Sequence, residues 1–335
     1  MTTLALLPDP AEPLDHATAQ AAFADMLDGK ADDEAVAAFL IGLAVRDETS
    51  VEIAAAARAL RARMIPVAAP EGAIDVCGTG GDGAHSLNIS TAVALVVAAC
   101  GVPVAKHGNR AASSRAGAAD TLEALGLDLD RASARAEADL AGHGIAFLFA
   151  QTHHPALRHL AAVRRAIGRR TIFNLIGPLA NPARVTRQLL GVARTDYIDT
   201  VARALQLLGT GSAMVVAGEE GLDELSIAGG SRVIRIGTCA GGDGWAEEHV
   251  VPEDAGLARR PLDALRGGDA TFNAAALTRL LDGETGAYRD AVLLNAAAAL
   301  IVAGEASGWR EGAELAAGAI DSGRAAALLQ AWIAA

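Results

Sequence analysis

The chain reads as an α/β protein, with a small all-helical N-terminal domain ahead of a large domain built on a mostly parallel sheet flanked by helices. Three observations predict this. Residues up to about Met64 carry capped amphipathic helical segments and no strand pattern. From Ala73 onward, short apolar runs alternate with helical patterns, which indicates parallel βαβ units. The first apolar run ends in a glycine cluster and the second in Lys106-His107-Gly108-Asn109-Arg110, so two ligand-type loops leave one edge of the sheet. The expected domains are residues 1–66, with part of 153–185 as a candidate addition, and residues 73–335.

The elements follow in order. Asp15 to Leu27 is an amphipathic segment stopped by Gly29. Asp32 to Val45 is another, with acids in its first turn where the helix dipole favours them. Thr49-x-x-Glu52 is a capping box ahead of Ile53–Met64. Pro66 and the VAAPEG stretch make a linker. Three short helices cannot bury a core alone, so their apolar faces must pack on the main domain or on a second subunit.

Ala73–Cys77 suits a buried strand. Asn88, Ser90 and Thr91 open an apolar helix that runs to about Cys100, is closed by Gly101 and cannot pass Pro103. Val102–Ala105 is a second strand ending at Lys106, and a second helix is expected to start near Ser113 and Ser114. Helices are also expected over Ala119–Leu125, Ala156–Ile167 and Tyr197–Leu208. Strands are expected over Ile145–Phe149, Leu189–Val192, Ala213–Ala217 and Ser231–Ile236. Gln151 to Pro155 reads as a loop, Gly241–Gly244 as a surface loop, and the remainder as mainly helical.

The stretch from Asp75 to Ser114 carries the strongest chemical signal. Gly78, Gly80, Gly81 and Gly83 form a loop with few Cβ atoms, so backbone N–H groups can approach an anion closely. A helix N-terminus follows it, and the second loop adds Lys106, Asn109 and Arg110. Together these look like a cradle for a polyphosphate. Gly78-x-Gly80-x-x-Gly83 also matches the dinucleotide fingerprint, but the second strand ends in Lys106-His107 where a nicotinamide enzyme needs a ribose-binding acid. The Walker pattern fails because Ala84-His85 follows Gly83.

Composition narrows the class. The 335 residues are 52% hydrophobic but only 3% aromatic, so Ala, Val, Leu and Ile must build the core. A net charge of −12 argues against nucleic acid as the main partner. An acidic protein that binds a polyanion must concentrate its cations locally or recruit a metal. Cys77, Cys100 and Cys239 show no paired spacing and read as reduced thiols of a cytoplasmic protein. No signal peptide is expected, and the apolar runs at Ala92–Ala105 and Ala291–Gly304 are too short and interrupted for a membrane span.

Several residues have a plain reading beside a chemical one. Lys106 would ordinarily be solvated, Asp82 a turn former and Asn88 a helix cap. Asp223-Glu224 would ordinarily be a solvated turn, yet it follows the strand Ala213–Ala217 on the ligand side. Magnesium needs only one or two carboxylates, waters and substrate phosphates, so an acidic pair facing a pyrophosphate is chemically apt. Arg164 sits on a helix among Arg165, Arg169 and Arg170, where most guanidinium groups should be solvated.

CGTGGDG, the NIST that follows, and KHGNRAASS resemble the anthranilate phosphoribosyltransferase family, which supplies the second enzyme of the tryptophan pathway. The resemblance continues through HHPALRHLAAVRRAIGRRTIFNLIGPLANPA, GLDELS, the GGDATFNA segment and LLNAAAALIVAG, and covers nearly the whole chain. It implies that Gly78, Gly81, Asp82, Ser86, Asn88, Ile89, Ser90 and Thr91 contact phosphoribosyl pyrophosphate. Position 86 is commonly Thr in the family, and Ser keeps the hydroxyl. The second loop, Lys106, His107, Gly108, Asn109, Arg110, Ala111, Ala112, Ser113 and Ser114, with Ala118 beyond it, is implied to hold the same substrate. Gly78, Asn109 and Arg164 are implied to touch anthranilate, with His107 and His154 lining its approach. Asp223 and Glu224 match the family's metal-binding pair, and Ser90 matches the hydroxyl ligand of a second magnesium, so two Mg2+ ions are expected. Lys106, Asn109 and Arg164 form the expected catalytic set. The resemblance further implies a site in the cleft between the domains and a homodimer formed through the helical domain.

The reaction so implied is transfer of a phosphoribosyl group to the anthranilate amine with loss of pyrophosphate. Two relatives in architecture are the alternatives. A pyrimidine nucleoside phosphorylase handles inorganic phosphate and should not need Asp223-Glu224. A non-catalytic nucleic-acid-binding paralogue would want a basic groove, which a charge of −12 opposes.

Overall fold

The computed structural model of the protein describes residues 5–111 and 115–335. Three helices open the chain: α1 (His16–Leu27), α2 (Asp33–Arg46) and α3 (Ser50–Arg61). Each has an oxygen-bearing N-cap, from Asp15, Asp32 and Thr49, whose side chain accepts a first-turn N–H. The capping box forms as expected: Thr49 N donates to Glu52 Oε2 at 2.8 Å and Glu52 N to Thr49 Oγ1 at 3.2 Å. Glu52 is fully buried and also receives Arg46 Nη2 at 2.6 Å, so its charge is paired.

The α/β part then runs β1 (Ile74–Gly78), α4 (Ile89–Ala99), β2 (Val104–Gly108), α5 (Ala118–Ala124), α6 (Leu129–His143), β3 (Ile145–Phe149), α7 (Ala150–His153), α8 (Ala161–Ile167) and α9 (Ile172–Ile176). It continues with β4 (Arg187–Gly191), α10 (Ile198–Leu207), β5 (Ser212–Gly218), β6 (Ser231–Gly237) and β7 (Trp245–Val250). Four helices close it: α11 (Ala270–Leu281), α12 (Ala287–Ala303), α13 (Trp309–Asp321) and α14 (Arg324–Ala334).

The seven strands form one sheet in the order β3-β2-β1-β4-β5-β6-β7. The first five are mutually parallel, and β6 and β7 are antiparallel additions at one side. Alternation along each strand splits the core in two. Ile74, Val76, Val104, Phe147, Leu189, Met214 and Val216 face α4 and the C-terminal helices α12–α14. Cys77, Leu190, Ala213, Val215 and Ala217 face α10 and share a continuous core with α1–α3, α8 and α9. The N-terminal helices therefore bury their apolar faces on the α/β part, as three short helices must. Tyr197 fastens the two: its hydroxyl donates to Glu48 Oε2 at 2.6 Å and accepts the Glu48 N–H at 2.9 Å.

Several expectations need correction. The helix expected near Ser113 begins at Ala118; Ala112, Ser113 and Ser114 themselves lie outside the described residues. Lys106 does not end β2 but sits at its middle. The helix expected over Ala156–Ile167 is broken: a 3-10 turn spans Pro155–Leu157 and the helix resumes at Ala161. Helices α6 and α9 and strand β7 were not anticipated, and Gln151 to His153 is helical. No helix among the described residues is long and apolar enough to cross a membrane.

Candidate active site at the carboxyl edge of the sheet

Strands β1, β2, β4 and β5 all end in glycine, at Gly78, Gly108, Gly191 and Gly218. Gly78 and Gly191 are paired neighbours, and the segment after β5 crosses directly over them. A Cβ on Gly78 would collide with the Asp223 carboxylate, and one on Gly191 with the Asp223 carbonyl. The two glycines are thus what lets Asp223 reach the first loop. Once there, Asp223 Oδ2 accepts the Gly80 N–H at 2.6 Å, and Glu224 Oε1 accepts the Ser90 N–H at 3.1 Å. The acidic pair and the glycine loop, 143 residues apart in sequence, form one site.

The loop itself is built for close approach. Gly80, Gly81 and Gly83 have φ of +70°, +72° and +76°, a region costly for residues with a Cβ. Asp82 turns the loop by accepting the Ala84 N–H at 3.1 Å. Arg170 Nη1 donates to the Gly81 carbonyl at 3.1 Å and braces it from outside. Asn88 stands at the N-cap of α4 without capping it; its side chain is engaged elsewhere. Ile89 and Thr91 are buried in the first turn of α4, and Ser86 is half-buried and bridges in antiparallel fashion to Arg266.

Lys106 is 3% exposed, not the solvated lysine of the plain reading. Its Nζ donates to the Val76 carbonyl at 2.7 Å and to Ser90 Oγ at 3.3 Å. The ammonium is held under the α4 N-terminus, where it faces the charges of Asp75, Glu224 and Asp223. Burial lowers its pKa, and those carboxylates oppose the shift. Asp75, on the opposite face of β1, is wholly buried and accepts the His107 N–H at 3.0 Å.

The acidic pair is electrostatically loaded. Burial, then the charge of Asp82, pushes Asp223 up to about 7. Burial, then Asp223 itself, raises Glu224 well above the carboxylate range, with Lys106 opposing. Three carboxylates crowded beside one ammonium are relieved by a divalent cation, so the donor set fits magnesium. Asp223, Glu224 and the Ser90 hydroxyl are the groups that would hold it. Among the described residues no group of three or more His, Cys, Asp or Glu is placed to hold a metal ion by itself.

The second loop is arranged differently from expectation. Arg110 is exposed, but its guanidinium is tied to Asp120 at 2.9 Å and to Glu123 at 2.9 Å. Asp120 Oδ2 also accepts Ala111 N at 3.0 Å and Gly117 N at 2.8 Å, so one carboxylate closes the neck of the loop. Asn109 is exposed and lies 3.4 Å from Gln151 Nε2. Gly108 packs on the Phe147 ring, and Ala118 stands beside it at the start of α5. Arg164 is half-buried on α8 with its guanidinium 5.5 Å above the Phe173 ring, while Arg165 is exposed.

His107, His153 and His154 form a buried cluster. The Nε2 atoms of His107 and His154 are 3.2 Å apart, so one ring donates and the other accepts. Burial lowers all three, pushing His154 down to about 4. A histidine depressed in the folded state gives stability that is present above its unfolded value and lost as pH falls toward the folded one. The thermal midpoint should therefore drop between about pH 6.5 and about pH 4, and His154→Gln should drop less steeply. Equal slopes in the two proteins, by calorimetry across that range, would remove the cluster from the account.

Asp75, Arg170 and Gly191 border the glycine loop or Lys106, and Asn273 Nδ2 donates to Asn88 Oδ1 at 2.9 Å; the motifs assign none of the four a role. A glycine ending a strand is the only sequence signal at Gly191. Gly191→Ala should displace Asp223 and lower turnover roughly tenfold with the far-ultraviolet spectrum unchanged, since small misplacements of catalytic supports are costly. Wild-type turnover in that variant would show that the crossing is not needed.

The glycosyl transferase family's a/b domain matches residues 70–326, and that family's helical bundle domain matches residues 7–64. Anthranilate phosphoribosyltransferase of Novosphingobium aromaticivorans is 62% identical over 333 residues, covering 99% of each chain. The Sphingopyxis alaskensis enzyme of the same name is 63% identical over 334 residues, covering 100% of this chain and 99% of the relative. Among solved structures, anthranilate phosphoribosyltransferase from Thermus thermophilus superimposes with a TM-score of 0.91 at 42% identity, covering 98% of this chain and 99% of that one. The Saccharomyces cerevisiae enzyme in complex with PRPP and Mg gives 0.86 at 28% identity, covering 96% and 93%. The same yeast enzyme in complex with 4-fluoroanthranilate gives 0.84 at 27%, covering 96% and 92%.

Proposed function

We infer the reaction from a premise the matches establish: the chain belongs to the glycosyl transferase family, within its anthranilate phosphoribosyltransferases. It transfers the phosphoribosyl group of 5-phosphoribosyl 1-pyrophosphate (PRPP) to the amine of anthranilate, in tryptophan biosynthesis. The nitrogen–C1 bond forms, the C1–pyrophosphate bond breaks, and the amine gives up one proton. The observation that carries the residue assignments is the crossing of Asp223-Glu224 onto the glycine loop, with Lys106 beneath Ser90.

The residues divide the work. The glycine-loop N–H groups other than that of Gly80, which Asp223 holds, donate to phosphate oxygens beside the α4 N-terminus, where the helix dipole favours anions. Lys106, fixed by Val76 and Ser90, sets a positive charge beside the leaving pyrophosphate. The second loop, from Lys106 through Arg110 to Ala118, holds the ribose phosphate side, which requires Arg110 to exchange Asp120 and Glu123 for substrate. Arg164 pairs with the anthranilate carboxylate, and Asn109 and Gly78 border the aromatic ring. Two magnesium ions, held by Asp223, Glu224 and Ser90, supply charge neutralisation on the pyrophosphate when bound. An aniline-type nitrogen is uncharged at neutral pH, so alignment and leaving-group stabilisation replace a strong base.

The yeast relative's complex with PRPP and Mg supports the metal reading. A homodimer through α1–α3 and a cytoplasmic setting with Cys77, Cys100 and Cys239 reduced complete the reading. The test is loss of anthranilate fluorescence with PRPP and magnesium each present or omitted, beside a thymidine phosphorolysis assay. Turnover of thymidine with phosphate, and none of anthranilate, would overturn the assignment.

A further inference from the structure

Asn273, in the GGDATFNA segment, is 2% exposed and lies 185 residues from Asn88 in sequence, yet it is hydrogen-bonded to that residue at the N-terminus of α4. Its Oδ1 accepts the Gly268 N–H at 2.8 Å. A backbone N–H can only donate, so this bond fixes which end of the Asn273 amide is oxygen. Its Nδ2 therefore donates, and the acceptor is Asn88 Oδ1 at 2.9 Å. Thr121 Oγ1 donates to the same oxygen at 2.6 Å. With both lone-pair sites of that oxygen filled, Asn88 is held with its NH2 turned the other way. One of those N–H groups lies 3.4 Å from the Ala116 carbonyl, at the foot of the second loop. The surroundings are equally fixed: Tyr288 Oη donates to the Asn88 carbonyl at 3.1 Å, Leu87 N to Leu265 O at 2.8 Å, and Gly267 N to His85 O at 2.8 Å.

We propose that Asn273, with Thr121, is a positioning residue that locks the Asn88 amide so that it offers hydrogens, and not its oxygen, to the substrate's phosphates. An amide free to turn would present its oxygen to an anion half the time and repel it. The inference rests on the reading of Asn88 as a PRPP contact, and the test separates the two.

The test is a double-mutant cycle on the full chain, with Asn88→Ala, Asn273→Ala, Thr121→Val and each pairing with Asn88→Ala. KM is measured for both substrates, beside thermal midpoints. Asn273→Ala should raise KM for PRPP roughly tenfold, about the worth of one hydrogen bond, with KM for anthranilate unmoved. In the Asn88→Ala background the same change should add nothing further. Independent, additive effects on KM for PRPP, or equal rises for both substrates, overturn the proposal. A normal KM for PRPP in Asn88→Ala shows that Asn88 is no phosphate contact, and the proposal falls with that reading. A raised KM in Asn88→Ala beside a normal one in Asn273→Ala sinks the positioning role alone. If Asn273→Ala loses its fold, Thr121→Val, which removes one donor at constant shape, decides on the same criteria.

Discussion

Asp223→Asn combined with Glu224→Gln should lower turnover roughly a hundredfold to a thousandfold and move the magnesium midpoint upward. The substitutions keep the shape. An amide oxygen at 223 can still accept the Gly80 N–H and one at 224 the Ser90 N–H, so the loop retains its anchors. What disappears is the capacity of the two side chains to ionise, and with it the affinity for a divalent cation. Glu224 is 8% exposed, not the solvated turn of the plain reading, and the two acids hold the Gly80 and Ser90 N–H groups. Alanine at either position would therefore confound lost charge with a collapsed loop, and the amides do not. The measurement is initial rate against magnesium concentration at saturating substrates. Wild-type turnover with an unchanged magnesium midpoint would take the metal away from this pair.

The electrostatic logic explains how a chain of net charge −12 accommodates a polyanion. The cations near the phosphate cradle are few and either buried or engaged. Lys106 is locked under α4, Arg170 braces Gly81, and Arg110 is occupied by Asp120 and Glu123. Backbone N–H groups supply much of the remaining positive potential, and they cost the protein no net charge. A metal recruited by Asp223 and Glu224 would supply the rest. Burial and the repulsion of neighbouring carboxylates raise both acids, and a divalent cation would relieve that repulsion.

Much of this was legible because local chemistry and fold agree. The Thr49–Glu52 capping box, the glycine cluster after β1 and the closure of α4 by Gly101 are short-range signals that no tertiary contact overrides. Helix α6 carried signals of the same kind, an Asp128 N-cap and Gly144 at φ +72° closing it, but its many charges hid the apolar stripe. Strand β7 was hidden for a different reason. It is an edge strand, so Glu247 and Glu248 need no apolar alternation and instead pair with Arg232 and Arg235 of β6. The burial of Lys106 was illegible too. It depends on a strand running three residues further than its apolar run and on a Ser90 hydroxyl and a Val76 carbonyl brought in by topology. The convergence of Asn273 on Asn88 and of Asp223 on the glycine loop is likewise a product of the tertiary fold, which no window of sequence contains.

Arg164 is where the aromatic acid should be won or lost. Its guanidinium is half-buried above Phe173, burial alone lowers its pKa, and no carboxylate of the described residues forms an ion pair with it. A part-desolvated cation without a protein counter-ion is poised for a ligand carboxylate, and the planar guanidinium can meet one with two parallel bonds. Arg164→Ala should weaken anthranilate by roughly 2–5 kcal/mol, much of it from leaving the substrate carboxylate unpaired. The apparent KM for anthranilate should rise accordingly while that for PRPP moves little. Arg164→Lys should restore part of the affinity, because it keeps the charge and loses the fork. Arg165→Ala is the control: its side chain is exposed one position along the same helix, and adjacent helical positions do not share a face. Substrate titrations on the three variants read the result directly. Equal effects from Arg164→Ala and Arg165→Ala, or an effect confined to PRPP, would mean that the carboxylate binds elsewhere and that the stacking on Phe173 serves only to hold α8 against α9.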